Sequence, residues 1–145
     1  MRRWPHALIL AGALLLAAPA AAQPPGLIGT WKGAGYVVSL GPSRYRTTKD
    51  VEAAFPDKAV EFTYVIKEQH GHRFAGEMSS EKGKRTFIGA MQQDNRGGII
   101  LDNDGQYIFT LIDPNTIDMC YSCQYPDNKQ VVCFRLKRAR RQATK

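Results

Sequence analysis

The sequence predicts an all-β protein, a single eight-stranded antiparallel up-and-down barrel that follows a cleaved N-terminal signal peptide. Three observations lead there. β-branched and aromatic residues recur in short runs separated by Gly, Pro, Asn and Asp. No long apolar period of 3.6 residues appears, and the links between most runs are far too short for parallel crossovers.

The chain opens with Met1, Arg2 and Arg3, continues through an apolar stretch from Ala7 to Ala18, and reaches Pro19-Ala20-Ala21-Ala22 before Gln23. A cationic start, an apolar middle and small residues at a cut site make a secretory signal. Residues 1–22 are therefore expected to be removed, and the product to be periplasmic or secreted. A single-pass anchor is the competing reading. The apolar stretch is shorter than the roughly 20 residues a span requires and contains Gly12 and Pro19.

Residues 23–138 are expected to form the barrel, with eight strands at 28–40, 59–69, 72–78, 85–93, 98–102, 106–112, 116–121 and 130–138. In the second, Val60, Phe62, Tyr64 and Ile66 alternate with polar residues, so one face is buried and one is wet. In the seventh, Ile117, Met119 and Tyr121 oppose Thr116, Asp118 and Cys120; in the eighth, Val132, Phe134 and Leu136 oppose Cys133, Arg135 and Lys137. His70-Gly71, Asp94-Asn95-Arg96-Gly97, Asn103-Asp104-Gly105 and Asp113-Pro114-Asn115 supply turn residues, the third reading as a type I′ turn. Neighbouring strands then pair antiparallel, and closing the first on the last removes both edges. An open sheet or a two-sheet sandwich is the alternative. The one long link, 41–58, is a candidate lid in which residues 49–55 are expected to form one or two helical turns before Pro56. The longer links share its end of the barrel, so an open mouth is expected there and a closed floor opposite.

Of 20 basic residues, Arg2 and Arg3 sit in the leader and Lys137, Arg138, Arg140, Arg141 and Lys145 at the end, and the rest balance the 13 acidic residues. A neutral body excludes nucleic acid as the partner. The tail, residues 139–145, reads as a solvated end offering weak contact to anionic surfaces.

A hairpin centred near Pro126 and Asp127 places Cys120 opposite Cys133, both on the outward side, and a disulfide between them is expected. Cys123 remains as a loop thiol, as the partner of Cys133 in a shifted register, or as half of a Cys120-x-x-Cys123 redox pair that lacks the helix start such pairs use.

Gly29-Thr30-Trp31 at the start of the first strand, followed by this meander, resembles the calycin group, which includes lipocalins and avidin-like proteins. That resemblance implies an arginine near the end of the last strand packing over Trp31 at the barrel floor, a role for Arg138, with Arg135 second. Phe74-x-Gly76, Phe87-x-Gly89 and Asp102-x-Asp104-Gly105 resemble small exported barrel domains of unassigned function. The lipocalin T-D-Y signature is missing, with Asp113-Pro114-Asn115 in its place, and no biotin-contacting set aligns.

A barrel of eight strands either fills with side chains or holds one small ligand. Gly33, Gly35, Gly76 and Gly89 lie on strands, where they leave room inside or bend the sheet. Candidate pocket walls are Tyr36 (or Val37), Phe62, Tyr64, Phe87, Phe109, Met119, Tyr121 and Phe134, with Arg44, Tyr45 and Arg46 at the rim. His70-Gly71-His72 lacks further ligands for a metal, and Asp102-Asn103-Asp104-Gly105 lacks the closing glutamate of a calcium loop. No metal, cofactor or catalytic constellation is expected. The chain is expected to be no enzyme but a binding protein for a small, largely apolar molecule, or an interaction protein or inhibitor of a secreted enzyme acting through loops at one barrel end.

Overall fold

Turn chemistry sets the connectivity. In the computed structural model, which describes residues 23–42 and 52–140, Gly71 and Asn95 adopt φ of 60° and 61° at two hairpin turns, where a glycine and an asparagine accept the left-handed region at least cost. The strands are β1 (Gly29–Gly35), β2 (Val38–Leu40), β3 (Ala53–Ala54), β4 (Val60–His70), β5 (Arg73–Ser80), β6 (Gly83–Met91), β7 (Gly97–Leu101), β8 (Gln106–Asp113), β9 (Thr116–Gln124) and β10 (Lys129–Arg138), the two turns joining β4 to β5 and β6 to β7. All pair antiparallel, and β1 pairs with β10 as well as β4, so an eight-stranded barrel closes, with β2 continuing the line of β1 and the short β3 added at its edge.

The first expected strand is thus two. β1 runs with β4 as far as Gly35; after Tyr36 and Val37 the chain continues as β2 on β10. Close approach at this seam explains the first two strand glycines. A Cβ on Gly33 would lie 2.1 Å from the carbonyl oxygen of Arg135, and one on Gly35 would lie 2.8 Å from Val132. The helical turns expected over 49–55 are not formed where the chain is described: Ala53 and Ala54 pair with Leu40 and Ser39. Residues 49–51 of that segment lie outside the described residues, as do residues 1–22, where the signal peptide is expected, and residues 141–145.

The turn after β7 is not type I′, since none of Asn103, Asp104 and Gly105 has positive φ. The Asp102 carboxylate holds it instead, its Oδ1 accepting the backbone N–H of Asp104 at 2.9 Å and of Gly105 at 2.8 Å. Bulges interrupt the register between Ile66 and Glu68 and between Leu111 and Asp113, bending the strands where the barrel curves.

The core follows the period-two pattern, with Phe62, Tyr64, Phe87, Phe109, Met119 and Phe134 among the buried inner residues. The floor is closed by residues just before β1. Trp31 is fully buried and donates its indole N–H to the carbonyl of Leu27 at 2.9 Å. The Arg138 guanidinium lies 4.1 Å from the Trp31 ring centre and donates to the carbonyls of Ile28 and Gly26. Gln69 accepts from Leu27 N–H and donates to the carbonyl of Pro25, so the incoming segment is tied across the barrel end.

Cys120 faces Cys133 in the ladder and the two form a disulfide. Cys123 is free and packs against the core, on the inner face of β9, whereas the bridge lies on the outer face. The sheet itself separates them. A shifted Cys123–Cys133 pairing and a Cys120–Cys123 redox pair are both excluded by that parity.

Candidate functional site

The lumen is the place the sequence points to, and rings fill it. Phe62 stacks on Phe134 with centroids 4.6 Å apart, and Tyr107 packs on Tyr121 at 4.6 Å. Phe74 sits edge-on to both Phe87 and Phe109. The glycines on β5 and β6 leave room that these rings occupy: a Cβ on Gly76 would meet Phe87 at 2.7 Å, and one on Gly89 would meet Phe74 at 2.4 Å. What remains is about 10 Å³ near the floor and about 20 Å³ near the mouth, no more than a water each. Small-molecule pockets measure roughly 300 to 1,000 Å³.

Of the expected pocket walls, Phe62, Tyr64, Phe87, Phe109, Met119, Tyr121 and Phe134 all point inward and meet one another as packed core. Tyr36 does not join them. It is 64% exposed, and Val37 is buried in its place. Counting by twos from the buried Trp31 reaches Val37, so the alternation runs through the break between β1 and β2 and turns Tyr36 outward. Arg44, Tyr45 and Arg46 lie outside the described residues.

At the mouth the lumen carries a polar network assembled from four strands and a turn. Arg85 of β6 is drawn to Asp102 at 3.1 Å and Asp104 at 2.8 Å, and the Tyr107 hydroxyl donates to the fully buried Asp102 carboxylate at 2.8 Å. Burial, with Tyr64 and Asp102 close by, pushes the Tyr107 phenol far above its ordinary range. Burial and the neighbouring Cys123 push Tyr121 up as well. Desolvation presses the Arg85 guanidinium down, but the Asp102 and Asp104 charges outweigh it and hold Arg85 protonated. Every Asp102 oxygen has a donor, so the network is a satisfied brace for the β7–β8 turn. Above it lies an open recess of about 200 Å³ bordered by Tyr121, Cys123, Tyr125 and Gln130.

A wide apolar concavity lies on the outer wall, where sequence reasoning did not look. Ladder pairing sets two outward rows across the sheet. One runs His70, Arg73, Ala90, Ile99, Ile108, and the other Glu68, Ala75, Ile88, Leu101. In each row an alanine sits between a long polar side chain and a branched apolar one. The two short side chains form a trough of about 520 Å³, walled by Ile88, Ile99 and Leu101 on one side and by Glu68, His70 and Arg73 on the other. Ile88 is 65% exposed, and Ile108, which follows Ile99 in the first row, is 63% exposed. The available signal was residues 97–101, Gly-Gly-Ile-Ile-Leu, apolar on both faces of a strand that needs only one.

His70 and His72 do not converge. His70 Nε2 lies 3.8 Å from Glu68, and His72 Nε2 lies 2.9 Å from the Asn95 side-chain oxygen. Among the described residues no group of three His, Cys, Asp or Glu could hold a metal ion, and no helix is long and apolar enough to cross a membrane.

No family model and no curated protein matches the chain. Among solved structures it is similar to the S-type phycobiliprotein lyase CPES from Guillardia theta, with 8% identity, 80% of this chain and 90% of that chain covered, and a TM-score of 0.36. The expectation that this chain is no enzyme is corrected by that match, since the structure it is similar to is named a lyase. That expectation rested on finding no catalytic spacing along the chain, and strands far apart in sequence do bring polar groups together here, as Arg85, Asp102 and Tyr107 show. At that TM-score the likeness carries over neither a reaction nor a ligand.

Proposed function

We propose that this chain is an exported binding barrel that takes a small, largely apolar ligand on its outer wall, across β5, β6 and β7, with the lumen serving as packed core. One contrast carries the reading: about 520 Å³ of apolar concavity outside against about 10 and 20 Å³ inside. Apolar patches left open on a monomer mark binding surfaces. The Cys120–Cys133 bridge supports an oxidising compartment, in keeping with an exported chain.

Displacement of an environment-sensitive hydrophobic dye tests the site. Saturable dye binding is expected, lost in Ile88→Lys and kept in Tyr121→Phe, which changes only the mouth. Binding that survives both Ile88→Lys and Ile99→Lys would remove the wall from consideration. A second reading, contact with a secreted protein through the mouth-end loops, is favoured by the exposed aromatics there, Phe55 at 73% and Tyr125 at 42%. Pull-down with the Phe55→Ser, Tyr125→Ser double variant separates that reading from the first, because neither residue borders the trough.

A further inference from the structure

The wall site has a polar end as well as an apolar body. Arg73 stands at the head of one row, its Cα partner His70 on one side and Ala90 on the other. It is exposed, and its side chain makes no hydrogen bond or ion pair with another described residue. The other polar side chains at that end are Glu68 and His70, 3.8 Å apart. The guanidinium is therefore the uncommitted charge at the rim of a trough whose body is Ala75, Ile88, Ala90, Ile99 and Leu101.

We propose that the wall site takes an amphiphile with an anionic head, its apolar chain lying over Ala75 and Ala90 and its head on the Arg73 guanidinium. The inference rests on the reading of the wall as the binding site and adds the class and direction of the ligand. A planar guanidinium offers paired N–H donors that match the two oxygens of a carboxylate, which a neutral head cannot use as fully. A cationic head is opposed by the Arg73 guanidinium, which has no carboxylate partner among the described residues. The chain direction follows from the rows: away from Arg73 each row continues through an alanine into branched apolar side chains, whereas the opposite direction meets the polar side chains of Glu68 and His70 on β4.

The test compares dodecanoate with dodecanol, matched in chain length and used below their aggregation limits, by displacement of bound dye at neutral pH and low salt. The expected result is that dodecanoate binds at least about tenfold more tightly than dodecanol to the unaltered chain. In Arg73→Gln that preference should collapse towards unity while dodecanol binding is unchanged. Equal affinity of the two for the unaltered chain, or a preference that persists in Arg73→Gln, overturns the anionic head and leaves the wall site standing. Failure of both compounds to bind, or binding indifferent to Ile88→Lys, overturns the wall site and this inference with it. Arg73 is exposed, so Arg73→Gln should keep the thermal midpoint of the parent, and a circular dichroism melt confirms that the comparison is between folded proteins.

Discussion

The two faces of β5, β6 and β7 use small residues to opposite ends. Facing inward, Gly76 and Gly89 are covered by the rings of Phe87 and Phe74, so each missing side chain is replaced by an aromatic from the neighbouring strand. Facing outward, Ala75 and Ala90 are covered by nothing, and a trough of about 520 Å³ stands above them. A small residue on a strand thus leaves space on either face, and what decides between packing and binding is whether a neighbour has a side chain long enough to fill it. In a narrow barrel the curvature drives inner side chains together and outer ones apart, so the lumen closes first.

The largest effect expected lies inside. Trp31→Ala removes a fully buried ring, its N–H bond to Leu27 and the surface on which Arg138 rests. A loss of about 3 to 5 kcal/mol is expected in denaturant unfolding. A loss below about 1 kcal/mol would show that the floor is not held by this ring.

Next comes the bridge on the outer face. The Cys120–Cys133 loop spans 13 residues, and replacing both cysteines by alanine should cost roughly 3 kcal/mol, chiefly by freeing the unfolded chain. Thiol titration of the unreduced, denatured protein should find one reactive group, Cys123. Three would contradict the bridge.

Gly89→Ala probes the inner face with a single added carbon. Its Cβ would lie 2.4 Å from the Phe74 ring and 3.0 Å from Ile100, and Phe74 cannot swing away because Phe87 and Phe109 hold it edge-on. Overpacking of this kind costs about 1 to 3 kcal/mol. A neutral effect would mean that the inner face has slack after all.

The alkaline limb of stability reports on the network at the mouth. Burial keeps Tyr107 protonated in the folded chain well above the ordinary value of 10.0, so its contribution is complete below about pH 10. It is lost as pH rises further, because only the unfolded chain then releases the proton. Each such tyrosine should steepen the fall above pH 10 by about 1.4 kcal/mol per pH unit. Tyr107→Phe should flatten the limb by that amount in denaturant titrations from pH 9 to 11.5. An unchanged slope would place Tyr107 in contact with water.

Closure, the inward set and the disulfide were legible because each follows from parity and link length, which are properties of the chain. Cys120 and Cys133 share the outward parity of their strands and stand equally far from the hairpin centre at Pro126 and Asp127, and the two together put them opposite each other. Of the two residues the sequence offered at that point of the first strand, Val37 and not Tyr36 points inward, as counting by twos from Trp31 requires. The trough was hidden. It depends on which outward residues become neighbours across three strands, and Ala75, Ile88, Ala90 and Leu101 become neighbours only once the register is set. Whether the lumen was hollow was equally hidden, since it depends on ring geometry around glycines and not on the count of apolar residues.

The smallest expected effect on stability falls one residue from Gly89. Ala90 points outward and is exposed, between Arg73 and Ile99, so Ala90→Leu adds three carbons where water now stands and should change stability by less than about 0.5 kcal/mol. Its effect on dye binding should be complete, because the new side chain fills the trough floor from the outside as Phe74 fills the space over Gly89 from within. A stable protein that still binds dye would separate the trough from binding, whereas a stable protein that does not would show that adjacent positions on one strand divide the two tasks of the barrel, holding itself together and holding something else.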